Sequence, residues 1–124
     1  MARKPSFPRR GSVCLVDLDP TVGHELKKTR PAVVVSNDHM NELAETILVM
    51  PITAGKHRYL HWVPLDPPDG GVSKPSAIVT EQVRAIDKRR LQRRLGAVRP
   101  ETMEKIEQAI RDNFALPEGN ILSD

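Results

Sequence analysis

Three polar clusters interrupt the apolar runs of this 124-residue chain: His24-Glu25 with Thr29-Arg30, Thr53 after Pro51-Ile52, and Thr80-Glu81-Gln82 with Arg84. As a set they contain the side-chain types needed to cleave an RNA phosphodiester without a metal. A neighbouring 2′-hydroxyl attacks the phosphorus if one group withdraws its proton, another stabilises the phosphorane charge and a third protonates the leaving 5′-oxygen. Glu25, Arg30, Thr53 and His24 can fill those roles. A guanidinium suits the phosphorus because its planar donors match two phosphate oxygens and its charge is permanent. Taken singly, each residue has a plainer reading. Arg30 would cap a strand end, His24 and Glu25 would be solvated in a loop, Thr53 would close a turn, and Gln82 and Arg84, on one strand face, would form a surface pair. The completeness of the set is what favours chemistry.

Other constellations are missing. There is no G-x-x-x-x-G-K-[ST] phosphate cradle and no G-x-G-x-x-G dinucleotide fingerprint. His57 and His61 have helical metal-pair spacing, but Gly55 and Pro64 bracket them in strand-like sequence, where four residues span about 13 Å; no metal site is expected. The single cysteine, Cys14, lies in an apolar run and reads as a buried thiol. Trp62 is expected in the core, although with Tyr59 and His61 it could offer a stacking face.

The elements that must position these residues are short. Residues 1–10, with Arg3, Lys4, Arg9 and Arg10 beside Pro5 and Pro8, read as a flexible basic arm. Strands are expected at 13–18, 31–35, 46–50 (ended by Pro51), 59–63, 77–79, 83–86 and 91–98. Residues 21–29 form a surface loop, and a helical turn over 38–45 is capped by Asn37 or Asp38. From Pro100, Met103, Ile106, Ile110 and Phe114 recur at helical spacing, and Pro117 and Gly119 stop the helix. The pattern implies one domain over 11–117, mainly β with one α-helix, as a small bent antiparallel sheet or partly open barrel, followed by a short tail, 118–124.

Hydrophobic residues make up 39% of the chain, enough for a modest core. No run reaches the roughly 20 apolar residues of a membrane span, so a cytoplasmic protein without membrane attachment is expected. Charge is unevenly divided: residues 1–98 hold 16 Lys+Arg against 10 Asp+Glu, and residues 99–124 hold 3 against 6. A basic body favours a polyanionic partner.

Four ordered blocks carry a resemblance to a known family. They are Arg10-Gly11-Ser12-Val13 through Val16-Asp17-Leu18-Asp19-Pro20-Thr21-Val22-Gly23-His24-Glu25; Arg30-Pro31-Ala32-Val33-Val34-Val35-Ser36-Asn37-Asp38; Met50-Pro51-Ile52-Thr53; and Thr80-Glu81-Gln82-Val83-Arg84-Ala85-Ile86-Asp87-Lys88-Arg89-Arg90-Leu91. Over about residues 9–116 the chain resembles the MazF/PemK toxin endoribonucleases. The resemblance implies an SH3-like barrel that pairs as a homodimer. It also implies cofactor-free cleavage of single-stranded RNA at short sequences, leaving 2′,3′-cyclic phosphate and 5′-hydroxyl ends, and a cognate antitoxin that covers the RNA groove. Arg30 and Thr53 match the family's catalytic arginine and threonine, and Glu25 a loop acid proposed as base in some members; His24 stands where members vary between His and Ser. Some relatives place Arg and Asp in the segment matching Val79 and Glu81; the arginine is missing here, so that mechanism is not carried over. RNA contact is expected from His24, Lys27, Lys28, Lys56, His57, Gln82 and Arg84, the last two with a structural role as the other option. Two alternatives are a gyrase poison on the same scaffold and a noncatalytic RNA-binding module.

Overall fold

A computed structural model describes residues 7–55 and 59–117. Seven strands, β1 (Ser12–Asp17), β2 (Thr29–Val34), β3 (Thr46–Ala54), β4 (Val63–Leu65), β5 (Ser76–Ile78), β6 (Arg84–Asp87) and β7 (Leu91–Ala97), form one antiparallel sheet. Two helices, α1 (Asp38–Leu43) and α2 (Pro100–Asn113), and short 3-10 turns complete it. The sheet runs β4-β5-β3-β2-β1-β7, with β6 also paired to β3, and its ladder does not close among the described residues. This is the expected mainly β architecture, a strongly bent sheet in place of a closed barrel.

β1, β2 and β3 are near-continuously apolar because both of their faces are buried. Val13, Val33, Met50 and Ile52 face one cluster, into which α2 inserts Ile106. Cys14, Val16, Ala32, Val34, Ile47 and Val49 face a second cluster, closed by Ile86 with Leu26 and Leu91. Alternation along each strand assigns its residues to the two cores.

Four expectations are corrected. Pro51 does not end β3, which runs on to Ala54. One edge of β3 pairs with β6 over 46–49 and then with β5 over 52–54, and Pro51 falls in the gap, where its carbonyl accepts from Val79 N at 2.9 Å and no N–H is required. The strand expected at 59–63 is instead Val63–Leu65. Tyr59 to Trp62 is a turn, closed by Trp62 N donating to Tyr59 O, with His61 at φ 66°. Trp62 is therefore half-buried rather than in the core, and its indole N–H donates to Glu81 Oε1 at 2.7 Å. Phe114 is 60% exposed and outside the helix, whose buried stripe is Thr102, Ile106 and Ala109. The helix stops in a Schellman motif: Leu116 N donates to Arg111 O and Ala115 N to Asp112 O, with Ala115 at φ 55°. The stop thus precedes Pro117.

The basic arm also differs where it is described. Arg10 donates its backbone N–H to Asp38 Oδ1 (2.7 Å), Nε to Val35 O (3.2 Å) and a terminal nitrogen to Glu107 Oε2 (3.0 Å), which fixes the entry to β1. Residues 1–6 and 118–124 lie outside the described residues.

α2 has no side-chain cap of its own. Asp69, buried in the 3-10 turn between β4 and β5, provides one by accepting from Arg99 N at 2.8 Å and from the Thr102 hydroxyl. That turn lies directly on β7. A Cβ on Gly71 would stand 2.3 Å from Leu95 O, and one on Gly96 2.9 Å from the backbone of Gly70 and Gly71.

Candidate active site

Arg30 and Thr53 come from adjoining strands. β2 and β3 pair as Ala32↔Pro51, Val33↔Met50 and Val34↔Val49. Continued two residues in the same register, the pairing sets Arg30 opposite Thr53. Alternation puts both side chains on the face of Ala32 and Pro51, and directly opposed residues have Cβ atoms about 5 Å apart. Thr53 is held on its other edge by pairing with Ala77 of β5. Both residues are half-buried.

Their polar atoms remain available. Arg30 Nε donates to Lys27 O at 2.9 Å, which fixes the plane of the guanidinium and leaves its terminal nitrogens for an anion. Among the described residues the Thr53 hydroxyl makes no hydrogen bond, and none joins it to Arg30.

Glu25 and His24 are exposed in the β1–β2 loop. One Glu25 oxygen accepts from Val22 N at 2.6 Å, which folds the loop tip on itself and leaves the second oxygen open. Glu25 lines a cleft of about 480 Å³ with Pro20, Pro51, Glu81, Gln82 and Arg84. Pro51 precedes Thr53 by two residues on the same face, so this cleft adjoins the side of the sheet to which alternation assigns Arg30 and Thr53. A larger cleft of about 620 Å³ opens toward Ile52, with Lys27, Lys28, Arg30, Lys74 and Arg93 around an apolar floor of Leu15, Pro31, Ile52 and Leu95. None of those five cations makes an ion pair among the described residues. Size alone would point to the larger cleft; strand alternation links Arg30 and Thr53 to the smaller one, and Arg30 borders the larger as well.

Gln82 and Arg84 are not a pair on one strand face. Gln82 ends a 3-10 turn (Thr80–Gln82), and Arg84 begins β6. Both side chains grip backbone: Gln82 bonds Leu26 N (2.8 Å) and His24 O (3.3 Å), and Arg84 donates to Leu18 O (3.0 Å). Glu81 is occupied by Trp62, whose ring meets Tyr59 at 4.6 Å. Lys56 and His57 lie outside the described residues. Three contributors were not singled out from the sequence. Lys74 and Arg93 line the larger cleft, and Arg90 donates to the carbonyls of Asp17 and Asp19. Arg90 stands inside a block quoted for the resemblance; Lys74 and Arg93 stand outside those blocks.

Comparison with known proteins identifies the family. A family model described as the PemK-like, MazF-like toxin of type II toxin-antitoxin systems matches residues 9–114. Endoribonuclease EndoA of Bacillus subtilis (strain 168) is 36% identical over 110 residues, covering 87% of this chain and 95% of that protein. An endoribonuclease from a mycobacterial species, solved in complex with its cognate antitoxin, aligns with a TM-score of 0.74 and 26% identity over 90% of this chain and 98% of its own. MazF from Deinococcus radiodurans (Form-I) shares the fold, with a TM-score of 0.79 and 22% identity over 90% and 99% of the two chains. With a family match spanning most of its length and a relative at this level of identity, the chain belongs to the PemK/MazF family of toxins of type II toxin-antitoxin systems.

Proposed function

We propose that this chain is an endoribonuclease toxin that cuts single-stranded RNA at short sequences by attack of a 2′-hydroxyl on its neighbouring phosphorus. The oxygen–phosphorus bond formed at O2′ replaces the one broken at O5′, leaving a 2′,3′-cyclic phosphate and a 5′-hydroxyl. The terminal nitrogens of Arg30 meet the charge that develops on the phosphorane, and the Thr53 hydroxyl donates to a non-bridging oxygen. The proton of the 2′-hydroxyl passes to a loop base, for which Glu25 has an open oxygen and His24 is the other candidate; the leaving oxygen takes a proton in return. Lys27 and Lys28, with Lys74 and Arg93, hold the phosphate backbone on either side.

The observation that supports this reading is the β2–β3 register, which, continued two residues past Ala32↔Pro51, assigns to one face of the sheet a guanidinium and a hydroxyl that makes no hydrogen bond among the described residues. The named activity of the Bacillus relative supports it. A cognate antitoxin is the proposed regulator, supported by the mycobacterial complex, and a homodimer in the cytoplasm is the proposed working form. Among the described residues no helix is long and apolar enough to cross a membrane.

Incubation of the purified protein with a long RNA in EDTA tests the reading. Fragments ending in cyclic phosphate are expected. Uncut RNA together with gyrase inhibition would replace it by a protein-binding poison, and a salt-sensitive mobility shift of intact RNA by a noncatalytic module.

A further inference from the structure

The β1–β2 loop is anchored at two levels. Its neck is closed by Leu18 N donating to Lys28 O (3.1 Å) and by the Arg84 and Arg90 bonds to carbonyls of residues 17–19. Its tip, residues 22–25, bonds mainly within itself through Glu25. Between the two, Gln82 provides a tie to the body of the sheet, its Oε1 accepting from Leu26 N and its Nε2 donating to His24 O. The next residue along, Lys27, is the one whose carbonyl accepts from Arg30 Nε. Gln82 therefore holds the residue next to the one that orients the guanidinium.

We propose that Gln82 is a positioning residue: by fixing the backbone of residues 24–27 from the opposite side of the cleft, it holds the Lys27 carbonyl, and through it the Arg30 guanidinium, in register with Thr53. The proposal rests on the function argued above. It assigns Gln82 an action on rate through Arg30 rather than a contact with RNA. Displacement of a reacting group by about 1 Å can cost on the order of a hundredfold in rate, so an indirect tie of this kind is measurable.

Thr80, two residues earlier, offers a matched control. Its hydroxyl makes as many hydrogen bonds, to His61 O (2.8 Å) and from Asn113 Nδ2 (3.1 Å), but serves the far end of α2 and not the β1–β2 loop. The test compares Gln82→Met, Gln82→Glu and Thr80→Val. Single-turnover cutting is measured at saturating RNA, and affinity for an oligonucleotide spanning a mapped cut with deoxyribose at the attacking position. Exchange of the Leu26 amide proton is followed by NMR. For Gln82→Met the expected result is a loss of rate of roughly tenfold to a hundredfold, unchanged affinity for the deoxy oligonucleotide and faster exchange at Leu26. Gln82→Glu keeps the bond from Leu26 N, loses the one to His24 O, and should lie between Met and wild type. Thr80→Val should cut near the wild-type rate below its melting range. An unchanged rate in Gln82→Met, a loss carried wholly by affinity, or equal slowing in Thr80→Val would overturn the proposal. Wild-type protein that leaves RNA uncut would remove the function and this inference with it, a result distinct from all three.

Discussion

Removal of Asp69 should loosen the seating of α2 on the sheet. Its carboxylate is 5% exposed and stands at the N-terminus of a helix whose own N-cap, Arg99, contributes no side-chain bond. Asp69→Ala deletes a charged cap, a loss of about 1 kcal/mol within a range of roughly 0.5–2. It also strands the Thr102 hydroxyl, itself 5% exposed, which adds roughly 1–3 kcal/mol. The Arg99 guanidinium, 3.5 Å from the carboxylate, is 67% exposed and adds little. The expected total is about 3 kcal/mol, and a chain of this size would melt roughly 10 °C lower. Urea denaturation followed by far-ultraviolet circular dichroism measures it. Asp69→Asn, which keeps an acceptor and loses the charge, should forfeit about 1 kcal/mol. Thr102→Val should be less damaging in the Asp69→Ala background than in wild type, because the two groups share one interaction. A loss for Asp69→Ala under about 0.5 kcal/mol, the range of an ordinary surface change, would refute the assignment of the cap.

Other expectations are simpler. Arg30→Ala should lower cutting by at least about a hundredfold and stability by under about 1 kcal/mol, since among the described residues the side chain makes only the bond to Lys27 O; a cleavage assay beside a thermal melt separates the two. Thr53→Ala should slow cutting with little change in melting, because its hydroxyl bonds nothing among the described residues. Burial pushes the Cys14 thiol up, against a smaller lowering by Arg94. A thiol reagent should therefore label the native protein far more slowly than the urea-unfolded chain. The unfolded chain releases that proton first, so stability should fall as pH rises beyond the ordinary thiol value toward the folded one; Cys14→Ala should remove that part of the slope. Gly96→Ala should cost roughly 1–3 kcal/mol by forcing β7 off the Asp69–Gly71 turn, measured as a lower urea midpoint.

Much of the architecture was legible because local patterns carried it. The apolar run at 31–35 and the three-and-four spacing after Pro100 each specify an element by burial alone. Asn37 caps α1 through Met40 N, as its side chain dictates. What stayed hidden depends on partners distant in sequence. Pro51 is tolerated inside β3 because two successive strands leave a gap beside it. Trp62 leaves the core because Glu81, nineteen residues on, takes its indole N–H. Asp69 caps a helix through Arg99, thirty residues on. Arg30 and Thr53 could be chosen by chemical type, but their relation depends on the β2–β3 register, whose pairing from Val34↔Val49 to Ala32↔Pro51 leads toward both. Gln82 was legible as polar and close to the site, not as the tie to the β1–β2 loop.

The grip on that loop falls mostly on main-chain atoms: Gln82, Arg84 and Arg90 bond carbonyls and an amide, which every residue type presents except the amide of proline. A support of this kind is indifferent to what the loop spells. Val22, 81% exposed at the loop tip, can therefore be rewritten, by drift or by randomised libraries, while the scaffold beneath keeps its shape and Glu25 keeps its place. Families that must change what they recognise without rebuilding their chemistry gain from such a division between a free surface text and a fixed frame.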